Sequence, residues 1–252
     1  MPRKRFGQHF LHDPGVLQRI VEAIAPARDD AVVEIGPGEG ALTRPLLERL
    51  ERLAAIELDR DLAARLEADL PSSRFSLLRA DALAVDFASF PSGVRIVGNL
   101  PYNISTPLLF HLAGFAGRVR DMHFLLQKEV VDRMVARPST PDYGRLSVML
   151  QVRFAMAKLF EVGRGAFRPP PKVESALVRL VPLAEKPGCD ERLLEKIVRE
   201  AFSARRKTLR NAMPLEAEDY RALELDPKLR PENLAPADYV RVARRLSGAS
   251  AR

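Results

Sequence analysis

Apolar residues along this chain fall into two kinds of run. Ala31-Val32-Val33-Glu34-Ile35, Leu53-Ala54-Ala55-Ile56, Phe75-Ser76-Leu77-Leu78-Arg79, Val94 to Val97 and Met122 to Leu126 are short and nearly continuous, the pattern of buried strands. Between them apolar positions recur at helical spacing. Val16, Ile20, Val21 and Ile24 make one stripe, introduced by Pro14 and Gly15. Further helices are expected up to about Leu50, from Thr106 to Phe115, from Lys128 to about Val135 and from Tyr143 to Val152. Strands alternating with helices predict an α/β domain. Ala155–Val162 and Glu174–Val181 return to a β-type pattern. Beyond Pro182–Pro187 the apolar pairs Leu193-Leu194, Ile197-Val198 and Ala201-Phe202 are helical in spacing. The chain therefore reads as a domain over residues 1–182, with an arm at 1–14, and a small helical domain over 188–252.

Chemistry sits where the predicted strands end. The first strand runs into Gly36-Pro37-Gly38-Glu39-Gly40-Ala41 and then a helix, the opening of a Rossmann-like unit. Gly36 and Gly38 let the backbone approach a ligand closely. Glu57 closes the second strand about 20 residues beyond the first loop glycine, where an acid accepts from ribose hydroxyls. This much suits a dinucleotide and S-adenosylmethionine equally. The third strand ends at Ala80-Asp81-Ala82-Leu83, where Asp81 can accept from an adenine amine and Ala82 and Leu83 can flank the ring. The fourth delivers Asn99-Leu100-Pro101-Tyr102. The Asn99 oxygen and a carbonyl near Leu100 can accept two N–H bonds of one amine. Pro101 stiffens the backbone and Tyr102 offers a stacking face. Three strand ends thus supply a sugar acceptor, an adenine acceptor and an amine clamp.

Composition narrows the setting. The chain is 46% hydrophobic and 29% charged, enough for a full core. Its apolar runs are too short for a membrane span, and no apolar signal region follows Met1-Pro2-Arg3-Lys4-Arg5, so a cytoplasmic protein is expected. The single Cys189 excludes an internal disulfide and a multi-cysteine metal site, and His9, His12, His111 and His123 have no ligand spacing with carboxylates, so no metal is expected. The net charge of +7 favours a polyanionic partner. Arg3-Lys4-Arg5, Arg205-Arg206-Lys207 with Arg210, and Arg241-Arg244-Arg245 gather it locally. In the arm, Phe6, Phe10 and Leu11 are costly to leave in water, so it is expected to fold back.

Taken together the motifs resemble those of the KsgA-type small-subunit ribosomal RNA adenine dimethyltransferases, within the class I S-adenosylmethionine-dependent methyltransferases. The matching stretches are RFGQHFLHD (5–13), EIGPGEGALT (34–43), AIELD (55–59), RADAL (79–83), GNLPYNIS (98–105), QKEVVDRM (127–134), YGRLSVM (143–149), FRPPPKVESA (167–176) and FSARRKTLRN (202–211). They cover nearly the whole chain in order. Members often carry Asn where this chain has His9. The resemblance implies a Rossmann-like sheet with helices on both faces, its edge closed by the two late strands as an antiparallel pair. It implies S-adenosylmethionine held by His9, Leu11, Gly36, Gly38, Glu57, Leu58, Asp81, Ala82 and Asn99. It assigns the target base to Asn99, Leu100, Pro101 and Tyr102. Phe167 heads a stiff triple-proline loop and by composition is a core plug, whereas the resemblance implies that it packs on the base opposite Tyr102. Arg3, Lys4, Arg5, Arg205, Arg206, Lys207 and Arg210 are the expected RNA contacts.

The activity so implied is dimethylation of two adjacent adenosines near the three-prime end of small-subunit (16S) rRNA, by a monomer meeting a pre-assembled ribosomal particle. Three other readings compete. A sister enzyme of the macrolide-resistance type modifies large-subunit rRNA and shares the glycine loop and amine motif. A release-factor glutamine methyltransferase uses a similar clamp without a basic tail. A non-catalytic RNA-binding assembly factor could keep the fold.

Overall fold

A computed structural model of the chain describes residues 9–185 and 187–249. In order, its elements are β1 (Phe10–Leu11), α1 (Pro14–Ile24), β2 (Val32–Ile35), α2 (Thr43–Arg49), β3 (Leu53–Glu57), α3 (Arg60–Asp69), β4 (Phe75–Arg79), β5 (Val94–Asn99), α4 (Ser105–Ala113) and β6 (Val119–Gln127). There follow α5 (Lys128–Val135), α6 (Arg145–Gln151), β7 (Phe154–Val162), β8 (Phe167–Arg168), β9 (Ser175–Pro182), α7 (Glu191–Ser203), α8 (Leu209–Ala212), α9 (Ala217–Ala222) and α10 (Pro236–Ala249). The expected strands and long helices are all present, with ends shifted by a residue or two except at β6, which begins three residues earlier than expected. The pairing of β1 with β8 is not visible in the hydrophobic pattern.

Seven strands form one sheet in the order β4-β3-β2-β5-β6-β9-β7. The pairs β3–β4, β2–β3, β2–β5 and β5–β6 are parallel, and β9 runs antiparallel to β6. Strand order reverses between β2 and β5, so a crevice opens beyond their carboxyl ends, where such sheets take ligands. All four residues of β2 are buried, as a central strand covered on both faces requires. Gly98 on β5 answers a close approach. A Cβ there would lie 2.4 Å from the Ile35 carbonyl oxygen, so no side chain fits. Asp13 caps α1 by accepting from Val16 N–H at 2.9 Å, and Ile20, Val21 and Ile24 are its buried stripe.

The chain divides into two compact units. One holds the residues up to Val131 together with Met156–Pro182. The other joins Asp132–Ala155 to the stretch from Leu183 onward. The sequence pattern assigns 132–155 to the first domain. They belong instead with the tail, because Tyr143 is fully buried, its hydroxyl donates to the Leu234 carbonyl at 2.9 Å, and its ring meets Phe202 edge-on at 6.1 Å. Arg145 and Arg153 add ion pairs to Glu195 and Glu191 of α7. Among the described residues, no helix is long and apolar enough to cross a membrane.

Candidate active site

The glycine loop after β2 is shaped by backbone that only glycine adopts freely. Gly36 and Gly38 have φ of 68° and 59°. A Cβ on Gly38 would lie 3.0 Å from the Phe10 ring, so the arm is seated directly on the loop. The arm is fixed there by β1, whose Phe10 and Leu11 pair antiparallel with Arg168 and Phe167, and by His12 N–H donating to the Ala166 carbonyl at 2.9 Å. The fold-back expected from its apolar side chains is thus observed for residues 9–13. Arg3, Lys4 and Arg5 lie outside the described residues.

Glu57 is 6% exposed and works in two directions. Its Oε2 accepts from Gly38 N–H at 3.1 Å and its Oε1 from Asp59 N–H at 2.9 Å. The carboxylate therefore pins the glycine loop to the end of β3, and each oxygen keeps a further lone pair for a ligand hydroxyl. Burial raises its pKa, against the pull of the backbone N–H groups of Asp59, Gly38 and Leu58.

At the end of β5 the Asn99 amide is oriented by its donor. Its Nδ2 gives a hydrogen bond of 3.0 Å to the His9 carbonyl, so Oδ1 is left as an acceptor. Leu100 N–H donates to the Leu125 carbonyl at 3.2 Å, and the Ser105 hydroxyl to the Pro101 carbonyl at 2.9 Å, which hold the turn still. Tyr102 is half-buried. Its hydroxyl lies 2.8 Å from Ser175 Oγ, and its ring centre is 5.5 Å from that of His9, tilted by 33°. His9 Nδ1 is in turn 2.8 Å from the Pro169 carbonyl.

These residues surround one pocket. His9, Phe10, Leu11, Glu34, Gly36, Gly38, Glu57, Asn99, Leu100, Pro101 and Tyr102 all line it. The space enclosed is about 70 Å³. Small-molecule sites usually hold roughly 300–1,000 Å³. Phe10 lies against the glycine loop and His9 against Tyr102, so the arm forms one wall of this space.

The expected set is not delivered whole. Leu58, Asp81 and Ala82 stand outside the pocket lining, at the neighbouring strand ends. Asp81 is on the turn after β4, which Ala80 N–H ties to the Glu57 carbonyl at 3.1 Å, and its Oδ1 accepts from Leu83 N–H. Leu58 is 51% exposed, an apolar surface beside that turn, while Ala82 is buried. Phe167 needs correction. It is 2% exposed, pairs with Leu11 and sits in the hydrophobic core with Val162 and Leu177, so it is the plug its composition suggested and presents no face to the pocket. In the second unit, Arg205 is used internally, bonded to Glu232 and to the Pro141 carbonyl. Arg241, Arg244 and Arg245 are likewise engaged with Asp238, the Pro187 carbonyl and Asp219. Arg206, Lys207 and Arg210 are exposed.

One pocket residue escapes the sequence reading. Glu34 on β2 is 1% exposed, and its Oε2 has no hydrogen-bond partner among the described residues. Burial drives its pKa up to about 8, opposed by the Thr43 hydroxyl and reinforced by the charge of Glu57. A buried carboxyl with an idle oxygen facing a pocket is suited to a cationic or hydrogen-bond-donating ligand. The signal was present as a lone carboxylate inside an apolar strand, just before the glycine loop.

A family profile described as Ribosomal RNA adenine dimethylase matches residues 2–247. The Ribosomal RNA small subunit methyltransferase A of Thiobacillus denitrificans is 61% identical over 242 residues, covering 94% of this chain and 95% of the relative. A protein of the same description from Chromobacterium violaceum is 56% identical over 257 residues, covering 100% of this chain and 98% of its own. Among solved structures, a dimethyladenosine transferase from Plasmodium falciparum is similar with a TM-score of 0.83 at 25% identity, covering 96% of this chain and 98% of that one.

Proposed function

This chain belongs to the ribosomal RNA adenine dimethylase family, and from that premise we propose that it dimethylates the exocyclic amines of two adjacent adenosines near the three-prime end of small-subunit (16S) rRNA. It is a methyltransferase, and S-adenosylmethionine, when bound, supplies the methyl group on an activated sulfonium. The pocket fits that cofactor in kind: a floor without side chains at Gly36 and Gly38, spare acceptor capacity on Glu57, and the idle oxygen of Glu34. In our reading Glu57 takes the ribose, Asp81 the adenine amine with Leu58 and Ala82 against the ring, and His9 and Leu11 close over the top. The small-subunit substrate is supported by relatives of that description at 56–61% identity over 94–100% of the chain. We further infer that the enzyme acts as a monomer in the cytoplasm on a pre-assembled particle, with Arg206, Lys207 and Arg210 on RNA phosphates.

The observation that carries the mechanism is the orientation of Asn99. An adenine amine is a weak nucleophile because its lone pair is delocalised into the ring. Two acceptors, Asn99 Oδ1 and the Leu100 carbonyl, hold its N–H groups and favour a pyramidal nitrogen whose lone pair points across the pocket. Tyr102 supports the base by stacking, worth roughly 1–3 kcal/mol per base in single-strand binding. The catalytic work is therefore positioning and charge placement.

Incubation of the protein with labelled cofactor and undermethylated ribosomal subunits, followed by nucleoside analysis, tests the reading. The expected product is dimethyladenosine from small particles alone. Label appearing in large-particle rRNA instead would transfer the assignment to the sister enzyme. Charge reversal at Arg206 and Lys207 is expected to weaken particle binding and to flatten its salt dependence, by about 0.7–0.9 in the log–log slope for each phosphate no longer neutralised.

Glu34 makes cofactor binding proton-linked. Burial lets its carboxyl keep its proton up to about pH 8. A cation beside it favours the carboxylate, so binding at pH 7 expels a proton, and affinity rises as pH is raised from 6 toward 8. Glu39 and Glu57 line the same pocket, so the assignment needs a variant. Calorimetry in buffers of different ionisation heat is expected to show proton release in the native protein and much less in Glu34→Gln. Equal release in both would remove Glu34 from this role.

A further inference from the structure

Tyr102 is held at its far end by a residue outside the pocket. Its hydroxyl meets Ser175 Oγ at 2.8 Å, and Ser175 is 1% exposed. Both partners are registered against the same strand. Leu100, two residues before Tyr102, donates to Leu125 of β6, and Ser175 opens β9 directly opposite Gln127 of β6. The platform turn and its anchor therefore cannot drift independently. A tyrosine ring on a turn keeps torsional freedom about its two side-chain bonds. A hydrogen bond at the para position removes most of it, because the oxygen is the atom that swings furthest. The ring then presents a set plane to the pocket, against which the His9 ring lies at 5.5 Å.

We propose that Ser175 is a positioning residue for methyl transfer, fixing the plane of Tyr102 and through it the angle at which the target amine meets Asn99. This rests on the reading of Tyr102 as the base platform. Ser175 touches neither base nor cofactor in this scheme; it acts through the phenol. A small hydroxyl suits this place, able to donate or accept, and it pairs the part-buried phenol oxygen.

The test is a double-mutant cycle on single-turnover methylation of small particles, using Ser175→Ala, Tyr102→Phe and the pair. Each single change removes the same bond from one side. Each is expected to slow methyl transfer by about 10-fold, with cofactor affinity unchanged to within about 2-fold, and the pair is expected to be no slower than either single. A second readout uses RNA with 2-aminopurine at the target position, whose stacking quenches fluorescence. Both singles are expected to weaken the quench equally. Wild-type rates in Ser175→Ala, or a pair whose losses multiply to about 100-fold, would overturn the proposal. Tyr102→Ala separates this from the platform reading. If it methylates normally the platform itself fails; if it is inactive while Ser175→Ala is normal, only the role of Ser175 fails. Should Ser175→Ala prove unstable, Tyr102→Phe, which leaves Ser175 in place, decides by its own rate and quench.

Discussion

Asn99→Ala is expected to lower the single-turnover rate of methyl transfer, measured at saturating cofactor, by about 10²–10³-fold, since removal of one preorganised polar group at a reacting centre costs ~3–4 kcal/mol. The size of the effect follows from when the interaction is strongest. The amine hydrogens are only weakly acidic in the ground state. As the nitrogen takes on positive charge its N–H groups become better donors, so the acceptors at Asn99 and Leu100 bind the transition state more tightly than the base. The variant should therefore fall in kcat with little change in RNA affinity. Asn99→Asp is the informative companion. It keeps an acceptor but forfeits the 3.0 Å bond that Nδ2 gives to the His9 carbonyl, placing a carboxylate against a carbonyl oxygen instead. A loosened arm should then appear as weaker cofactor binding, separate from the chemical step. Unchanged methylation in Asn99→Ala with normal cofactor affinity would end the clamp account.

The site was legible to the extent that its parts are local. Glu57, Asp81 and Asn99 each end a short apolar run, and βαβ connectivity brings successive strand ends to one edge, so their neighbourhood could be read without coordinates. What escaped depends on contacts between distant residues. Tyr143 joins the second unit through Leu234 and Phe202, and nothing in the apolar stretch that follows it distinguishes that partner from the sheet. Phe167 is a plug by composition and a platform by resemblance, and its pairing with Leu11 and its place in the core decide for the plug. Arg205 looks free beside Arg206 and Lys207 until Glu232 is folded onto it. Glu34 is easily passed over because a single acid in an apolar run is absorbed into the strand pattern, when its burial is the feature that makes it chemical.

The same blindness covers the charged cluster at the opposite end of β5, whose removal is expected to cost the most stability. Arg95 is 4% exposed. Its Nε and Nη2 grip Asp121 at 2.8 and 2.9 Å, its Nη1 reaches Asp30 at 2.8 Å, and the remaining N–H groups meet the Ile24 and Ala25 carbonyls at the end of α1. Every guanidinium N–H is thus spent in one buried fork that ties two strands to a helix terminus. Arg95→Leu strands buried carboxylates and helix carbonyls together, for which about 3–5 kcal/mol of destabilisation is expected in urea unfolding at pH 7. Arg95→Lys keeps the charge but not the fork and should recover only part. The gap should narrow as pH falls. His123, 1% exposed and 3.7 Å from Asp121, is held neutral chiefly by burial, with Arg95 and Arg179 opposing its protonation and Asp121 favouring it. Its folded pKa is therefore depressed, the unfolded chain binds the proton first, and the native protein loses stability as pH drops below roughly 6.5. Without Arg95 the charge of Asp121 is left to favour protonated His123, so the variant loses less over that range. A deficit below about 1 kcal/mol, or one that widens on acidification, would show that the fork is not what holds α1 to the sheet.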